Sequence, residues 1–511
     1  MINFIYPLLY ALIPVFVFYN KNIGEVRSKD FVKLVFYCII IYSLTYFVLY
    51  KALLLINQNL QLTIHSITGA VIFYMLILFY TPWYKINRFK SRYAYQYFIK
   101  YILYLVLVCS IAYFNSVLPI ILTVVLSLIL LLNLVYLTQN YTSKNNLSHI
   151  NNRTEMKAER DKPDIYHIIL DSYIGNKGLL DIAKYDNTSF ENQLKKLGFK
   201  IVDNIYSNYN HTAASIPSMM NMGYTNDYLN ENEKNTEMYR KESQQYRFMR
   251  IIRSKTVEML KSIGYKISVN GSTIFTEKIL DLCSDIIDIS DIQNNTAFKN
   301  FVIINFLKMT ILSSLYMKKV NNTGHAKYLI NAFEHIYSDY GIQSPYYYFN
   351  HILAPHPPYC FDHEGNINNK YADMIEFPEF SMDTVNAYIE HMRYINVLTL
   401  NSMEKLIAKI KAKNNKAIIL VHGDHGALLQ EASLARYNIF FAYYTYGYDN
   451  QEIFPNNITL VNIFPILFNK IFKTSIPIHK DYFYYETLKD FTSEWVETDC
   501  TDKLIDYLHG E

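Results

Sequence analysis

Five stretches of the chain, 3–19, 31–50, 63–82, 97–114 and 117–139, are predominantly apolar and almost free of charge. Each is about 17–23 residues long, the length an α-helix needs to cross the hydrocarbon core of a bilayer. They predict an N-terminal helical transmembrane bundle over 1–140, of about five helices. The last two abut at Asn115-Ser116, with Pro119 just beyond, and read as a tight helical hairpin. The first stretch lacks a basic leader and a small-residue cleavage site, so it reads as a retained helix, not a removed signal peptide. At 141–162 the pattern turns polar, with Asn, Ser, Lys, Glu and Arg, and predicts a linker.

From Pro163 short apolar runs alternate with amphipathic segments. Strands are expected at 165–170, 200–206, 265–269, 346–353 and 417–421, and helices at 187–197, 248–263 and 384–410. That alternation predicts an α/β domain over 163–490 with a mostly parallel sheet between helices, followed by a tail at 491–511. The stretch 298–317 is apolar but carries Lys299, Lys308 and two Asn. It is expected to be an amphipathic helix, on the core or at a membrane surface. In open α/β sheets ligands bind beyond the carboxyl ends of the strands. Asp171, His356 and the Asp424-His425 pair all fall there or just past.

Composition changes this picture little. The net charge is +3, and no basic tract with interleaved aromatics points to nucleic acid. The 48 Tyr and 31 Phe, with abundant Asn, Ile and Lys, reflect an AT-rich coding bias more simply than an aromatic platform. Cys38 and Cys109 lie in apolar spans, and Cys283, Cys360 and Cys500 are scattered, so no disulfide or metal framework emerges.

The chemistry concentrates at strand ends. Asp171 closes an apolar strand and suits either a metal ligand or a helix N-cap. Asp424-His425-Gly426 follows a second strand, and Gly426 permits a turn sharp enough for both side chains to reach one ion. The alternative there is a plain polar turn. His351 and His356 flank a Pro-rich loop; His356, framed by Pro355 and Pro357, suits contact with a substrate oxyanion or leaving group. Thr212 and Ser215 are rival nucleophiles three residues apart. A helix starting at Thr212 would aim its backbone N–H groups at an anionic ester. Such a set suits a divalent ion that lowers the pKa of a hydroxyl nucleophile attacking a phosphorus or sulfur ester.

Residues 212–219, Thr-Ala-Ala-Ser-Ile-Pro-Ser-Met, resemble the nucleophile motif of bacterial phosphoethanolamine transferases, Thr-Ala-x-Ser-x-Pro-Cys-Met. They share Ser-x-Pro-Ser with sulfatases, but Met219 stands where the sulfatase motif has Arg. The resemblance therefore implies Thr212 as nucleophile, without a formylglycine at Ser215. Asp424-His425-Gly426 with Glu431 resembles Asp-His-Gly-Glu-Ser-x-Gly-Glu of the same enzymes. Ile169-Leu170-Asp171 occupies the place where they and the lipoteichoic acid synthases carry a metal-binding carboxylate. Over about 163–480 the chain is most similar to membrane-anchored sulfatase-like proteins of bacterial envelopes, within the alkaline phosphatase superfamily. The shared stretches include 351–358 and Thr459-Leu460-Val461-Asn462-Ile463-Phe464.

The resemblance implies that Asp171, Thr212, Asp424 and His425 hold one divalent ion, Zn or Mn first, Ca or Mg otherwise. His351, His356, Ser215 and Glu431 would face substrate. The phosphoethanolamine transferases carry a further His soon after Asp-His-Gly, whereas this chain has none between His425 and His479. The implied partners are the lipid bilayer, a membrane phospholipid donor and an envelope glycan or lipid acceptor. The implied reaction is transfer of phosphoethanolamine or phosphoglycerol. Hydrolysis of a sulfate ester or phosphodiester at the same site is the alternative, and an inactive envelope-assembly scaffold is a third. Lys21, Arg27, Lys29 and Lys33, then Lys85, Arg88, Lys90, Arg92 and Lys100, cluster in two loops. With five spans that charge asymmetry would place the catalytic domain in the cytoplasm. The resembled families place it outside the inner (cytoplasmic) membrane, where donor and acceptor are, and the outer face is the expectation adopted.

Overall fold

The computed structural model of the protein describes residues 162–225, 250–270, 323–338, 343–370, 381–427, 436–448, 452–488 and 495–502. It also describes 31–40, Leu504 and scattered positions within 8–47 and 124–132. The expected spans 63–82 and 97–114, the stretch 298–317 and Glu431 lie outside the described residues. The chain divides into two compact units, Met1–Asn152 with Phe298–Val320, and Arg153–Ala297 with Asn321–Glu511.

In the first unit residues 31–40 are helical. Val32, Phe36, Leu44 and Phe47 are more than half exposed, while Leu34 and Cys38 are buried. Val124, Leu128, Leu131 and Leu132 repeat that apolar, exposed spacing. Three- and four-residue steps put such side chains on one helix face. No helix among the described residues is long and apolar enough to cross a membrane.

The second unit is α/β. Strands β1 (Asp164–Leu170), β4 (Lys266–Asn270), β5 (Tyr346–Ile352) and β6 (Ala417–Gly423) are parallel, in the order β6-β1-β5-β4. β1, β5 and β6 are buried at every position, so both faces are covered and the sequence reads as a mostly apolar run, interrupted by His167, by Asn350-His351 and by His422, instead of an alternation. Beyond β6 the sheet adds β7 (Phe441–Tyr446), antiparallel, and β2 (Lys200–Ile201), antiparallel to β7. The sequence pattern did not single out β7, whose aromatic run Phe-Ala-Tyr-Tyr-Thr-Tyr matches the composition of much of the chain.

The expected strand at 200–206 is broken in two. Asn204 takes the left-handed conformation (φ 55°), which sends β3 (Ile205–Tyr206) out of the main sheet to pair with β8 (Ile458–Thr459). Within the described part of 248–263, the helix stops and restarts as α4 (Lys255–Ser262), capped by Ser254 accepting from Val257 N. One face of the sheet packs under α1 (Asn176–Ala183), α2 (Thr188–Lys196), α5 (Thr323–Tyr337) and α6 (Met382–Lys413), around Tyr166, Ile168, Leu170, Ile419 and Val421. The opposite face meets α3 (Thr212–Asn221) and α7 (Ile463–Ile471), where Phe464 lies against His167 and Tyr347.

Candidate metal centre

Strand register brings the two aspartates together. Leu170 pairs with Gly423 on β6 and with Ile352 on β5, so Asp171 and Asp424 each stand one residue past the carboxyl edge of neighbouring strands. Asp171 N donates to Ile352 O at 2.9 Å and keeps the residue on the sheet. The next helix begins five residues later behind Gly175, so Asp171 caps no helix. Ile169 pairs with both His351 and His422, which places those imidazoles in one row just beneath the edge.

Five side chains converge. His351 Nε2 lies 3.2 Å from Asp171 Oδ2 and 4.0 Å from Asp424 Oδ2. His425 Nε2 lies 3.5 Å from Asp424 Oδ2 and 3.8 Å from Asp171 Oδ1. Thr212 Oγ1 is 3.4 Å from Asp171 Oδ2 and 3.2 Å from His425 Nε2. Thr212 is the first residue of α3, so its hydroxyl stands at the helix's positive end. His425 Nδ1 lies 2.8 Å from Gly426 O; a carbonyl only accepts, so Nδ1 donates and Nε2 is the ring nitrogen that faces the cluster. Asp424 Oδ1 accepts from the backbone N–H groups of Ser172 and His425, each at 3.0 Å. Asp424 Oδ2 is buried and takes no hydrogen bond among the described residues.

Burial acts to raise the Asp171 carboxyl, but the charges of His356, His351 and His425 and the hydrogen bond from His351 outweigh it. The group stays well below the usual carboxylate range and is ionised at neutral pH. A buried Asp424 oxygen without a hydrogen bond among the described residues, an ionised Asp171, an imidazole nitrogen and a hydroxyl make a donor set that fits a divalent cation. The spacing fits too: bonds of roughly 2.1 Å in a tetrahedron hold their ligands about 3.4 Å apart, and these atoms stand 3.2 to 4.0 Å apart. Asp171, His351 and Asp424 form the group of metal-ligating side chains found among the described residues.

The structure thus brings Asp171, Thr212, Asp424 and His425 to one point and adds His351, which the sequence reading assigned to substrate. A buried His on the odd-numbered face of an otherwise apolar strand was the available signal, but without the register it had no partner. Ser215 is placed differently from expectation. It is buried, its hydroxyl donates to Asp424 O at 2.5 Å, and Ser207 Oγ lies 2.9 Å away. Its hydroxyl ties α3 to the end of β6 and is not presented at the centre. His356 is part-buried beside the centre; its N–H donates to Asp171 O at 3.1 Å, and Nδ1 contacts Pro357 O at 2.7 Å. Beneath the centre, His167 and His422 are fully buried, a pair the sequence reading passed over as strand interior. Burial and mutual charge hold His167 well below its ordinary value, and burial first pushes His422 down to about 4. Both are neutral.

No protein-family model and no curated protein matches the sequence. Solved structures that are similar include the C-terminal periplasmic domain of EcEptC from Escherichia coli in complex with Zn, at 11% identity and TM-score 0.40, covering 67% of this chain and 94% of that one. Another is the integral membrane lipooligosaccharide phosphoethanolamine transferase A from Neisseria meningitidis, at 12% identity and TM-score 0.37, covering 89% and 94%. A 2-O GAG sulfatase matches at 12% identity and TM-score 0.37, covering 64% and 78%. The similar solved structures thus include phosphoethanolamine transferases and sulfatases. At such values the likeness says nothing of substrate, and the chemistry rests on the side chains described above.

Proposed function

We propose that the chain is a membrane-anchored, metal-dependent transferase. It moves a phospho-alcohol group, phosphoethanolamine or phosphoglycerol, from a phospholipid to an envelope glycan or lipid through a covalent intermediate on Thr212. The observation that carries this reading is the placement of Thr212 Oγ1 within 3.4 Å of Asp171 and 3.2 Å of His425, while the rival hydroxyl of Ser215 is tied to a backbone carbonyl. Asp171, Asp424, His425 and Thr212 would hold the ion, with His351 as a further donor. A divalent ion there lowers the pKa of a hydroxyl and offsets the charge that builds on an ester's oxygens.

The residues supply the rest. Thr212 Oγ forms a bond to phosphorus as it gives up its proton, the bond from phosphorus to the diacylglycerol oxygen breaks, and the departing oxygen takes up a proton by way of His356 Nε2. The N-terminus of α3 directs partial positive charge at the non-bridging oxygens. His356 Nδ1–H is held on Pro357 O, which leaves Nε2 for the leaving group or for the acceptor hydroxyl that resolves the intermediate. Hydrolysis would differ only in water taking the acceptor's place. The exposed apolar side chains Val32, Phe36, Leu44 and Phe47, and Val124, Leu128, Leu131 and Leu132, support an anchor in lipid, because exposed apolar surface of this kind marks a membrane or protein interface.

Incubation with phosphatidylethanolamine or phosphatidylglycerol, followed by peptide mass spectrometry, tests the reading. The expected result is a phospho-alcohol adduct on residue 212 and none in Thr212→Ala, whose folding and metal binding stay largely intact. Ser215→Ala is expected to lose about 1 kcal/mol of stability and part of its activity. An adduct or a formylglycine on Ser215 would instead make the protein a sulfatase-type hydrolase.

A further inference from the structure

Two fully buried histidines beneath a candidate metal centre call for a reason, since apolar side chains would fill the same space at lower desolvation cost. For a neutral pair their hydrogen bonds follow from one fixed point. His422 Nδ1 lies 2.8 Å from Gly423 O, and a carbonyl has no proton, so His422 Nδ1 donates. In a neutral ring Nε2 is then an acceptor. His167 Nε2, 2.7 Å away, must be the donor to it. His167 Nδ1 is therefore the acceptor, and the Tyr347 hydroxyl at 2.6 Å donates. The chain Tyr347 to His167 to His422 to Gly423 runs in one proton order, and each ring nitrogen has a partner. The Tyr347 oxygen also lies 3.5 Å from the sulfur of Met220, on the helix that begins with Thr212.

The last link matters most. The carbonyl that His422 grips belongs to the peptide unit joining Gly423 to Asp424. Asp424's own carbonyl is gripped by Ser215. Side chains thus hold the carbonyls on both sides of Asp424, and these fix the direction in which its carboxylate leaves the strand. Gly423 cannot be braced by a side chain of its own, because a Cβ there would meet Tyr173 O at 2.3 Å.

We infer that His167 and His422 are positioning residues, a proton-ordered pair that orients the end of β6 so that Asp424 and His425 face Asp171 and Thr212. The inference rests on the metal-centre reading. The test uses the full chain purified in detergent, stripped of metal and titrated with Co²⁺, with affinity and the d–d absorption of the bound ion read together with thermal stability. His167→Phe removes the donor to His422 Nε2 and is expected to weaken Co²⁺ binding roughly 10–100-fold, the loss typical of an outer-shell partner, with an altered absorption band. His167→Gln, whose amide can donate to the same nitrogen, is expected to stay within a few-fold of wild type.

The double variant H167F/H422L separates positioning from stability. Removing both rings leaves no orphaned imidazole nitrogen, although Gly423 O and the Tyr347 hydroxyl each lose a partner, so its thermal stability should recover part of what H167F loses. Its Co²⁺ affinity should not, because Gly423 O has lost its donor. Wild-type affinity and an unchanged band in both H167F and H422L-containing protein would overturn the inference. Failure of the wild-type protein itself to bind Co²⁺, Zn²⁺ or Mn²⁺ would overturn the metal reading beneath it, a distinct result.

Discussion

Ser215 and Thr212 show how little separates a hydroxyl that faces the candidate centre from a structural one. Both lie in the first turn of α3, three residues apart, and both suit the chemistry by type. The helix turns one toward Asp171 and His425 and the other toward a backbone carbonyl. His351 is the residue whose role the structure shifts, from a flank of the Pro-rich loop into the cluster itself. If it donates to the ion, His351→Ala should lower divalent-metal affinity at least 10-fold, measured by equilibrium dialysis, and turnover should partly return at high metal concentration. A rise in KM for the lipid donor with unchanged metal affinity would return His351 to substrate.

Among the elements, α6 does more than cover the sheet. It runs 32 residues, from a Ser381 cap whose side chain accepts from Thr384 N to a left-handed Asn414. Tyr388 on it donates to Ser172 O, bracing the loop that follows Asp171. Three residues on, His391 is fully buried and stacked on Phe361, and its Nδ1 accepts from Phe361 N at 3.4 Å. Burial, helped by the charge of His325, pushes its pKa down to about 3. An unfolded histidine binds a proton near pH 6.5, so between about 6.5 and 3 unfolding takes up a proton and acid destabilises the fold. One such group contributes up to about 1.4 kcal/mol per pH unit. His391→Phe should cost about 1 kcal/mol at pH 7.5 through the lost hydrogen bond. Its stability should then fall by one proton less than wild type as the pH drops to 4.5, in denaturation followed by near-ultraviolet circular dichroism. Parallel curves for the two proteins would refute this.

For the whole molecule, the proposed reaction requires the α/β unit to meet a phospholipid donor. A phospholipid headgroup lies at the bilayer surface, so an anchored enzyme gains its substrate through its tether. A truncation beginning near Pro163 is expected to keep activity on small water-soluble phosphodiesters and to lose most of it on phospholipid vesicles. Equal loss on both would mean that the N-terminal unit serves folding, not access. Orientation is tested by fusions after residue 150. An active alkaline phosphatase reporter there places the catalytic unit outside the cytoplasm, whereas a reporter active only in the cytoplasm would support the Lys and Arg asymmetry and exclude a surface acceptor.

The sequence was sufficient for features that are local. Mostly apolar runs marked β1, β5 and β6 because a strand buried on both faces has no solvent-facing side to alternate with. Chemistry-bearing residues at their carboxyl ends were legible for the same reason: Asp171 and Asp424-His425 stand where the apolar pattern stops. The start of α3 at Thr212 could be read from its motif. Pairing register is non-local and left no trace in any one segment. Only the fold put Leu170 opposite Gly423 and Ile169 between His351 and His422, and so aligned residues up to two hundred and fifty apart. The same holds for His167 and His422, which in their own strands are single polar interruptions of apolar runs. They became a proton-ordered pair when β1 and β6 lay side by side, because a hydrogen bond needs two partners at one distance and one angle, and tertiary packing sets both.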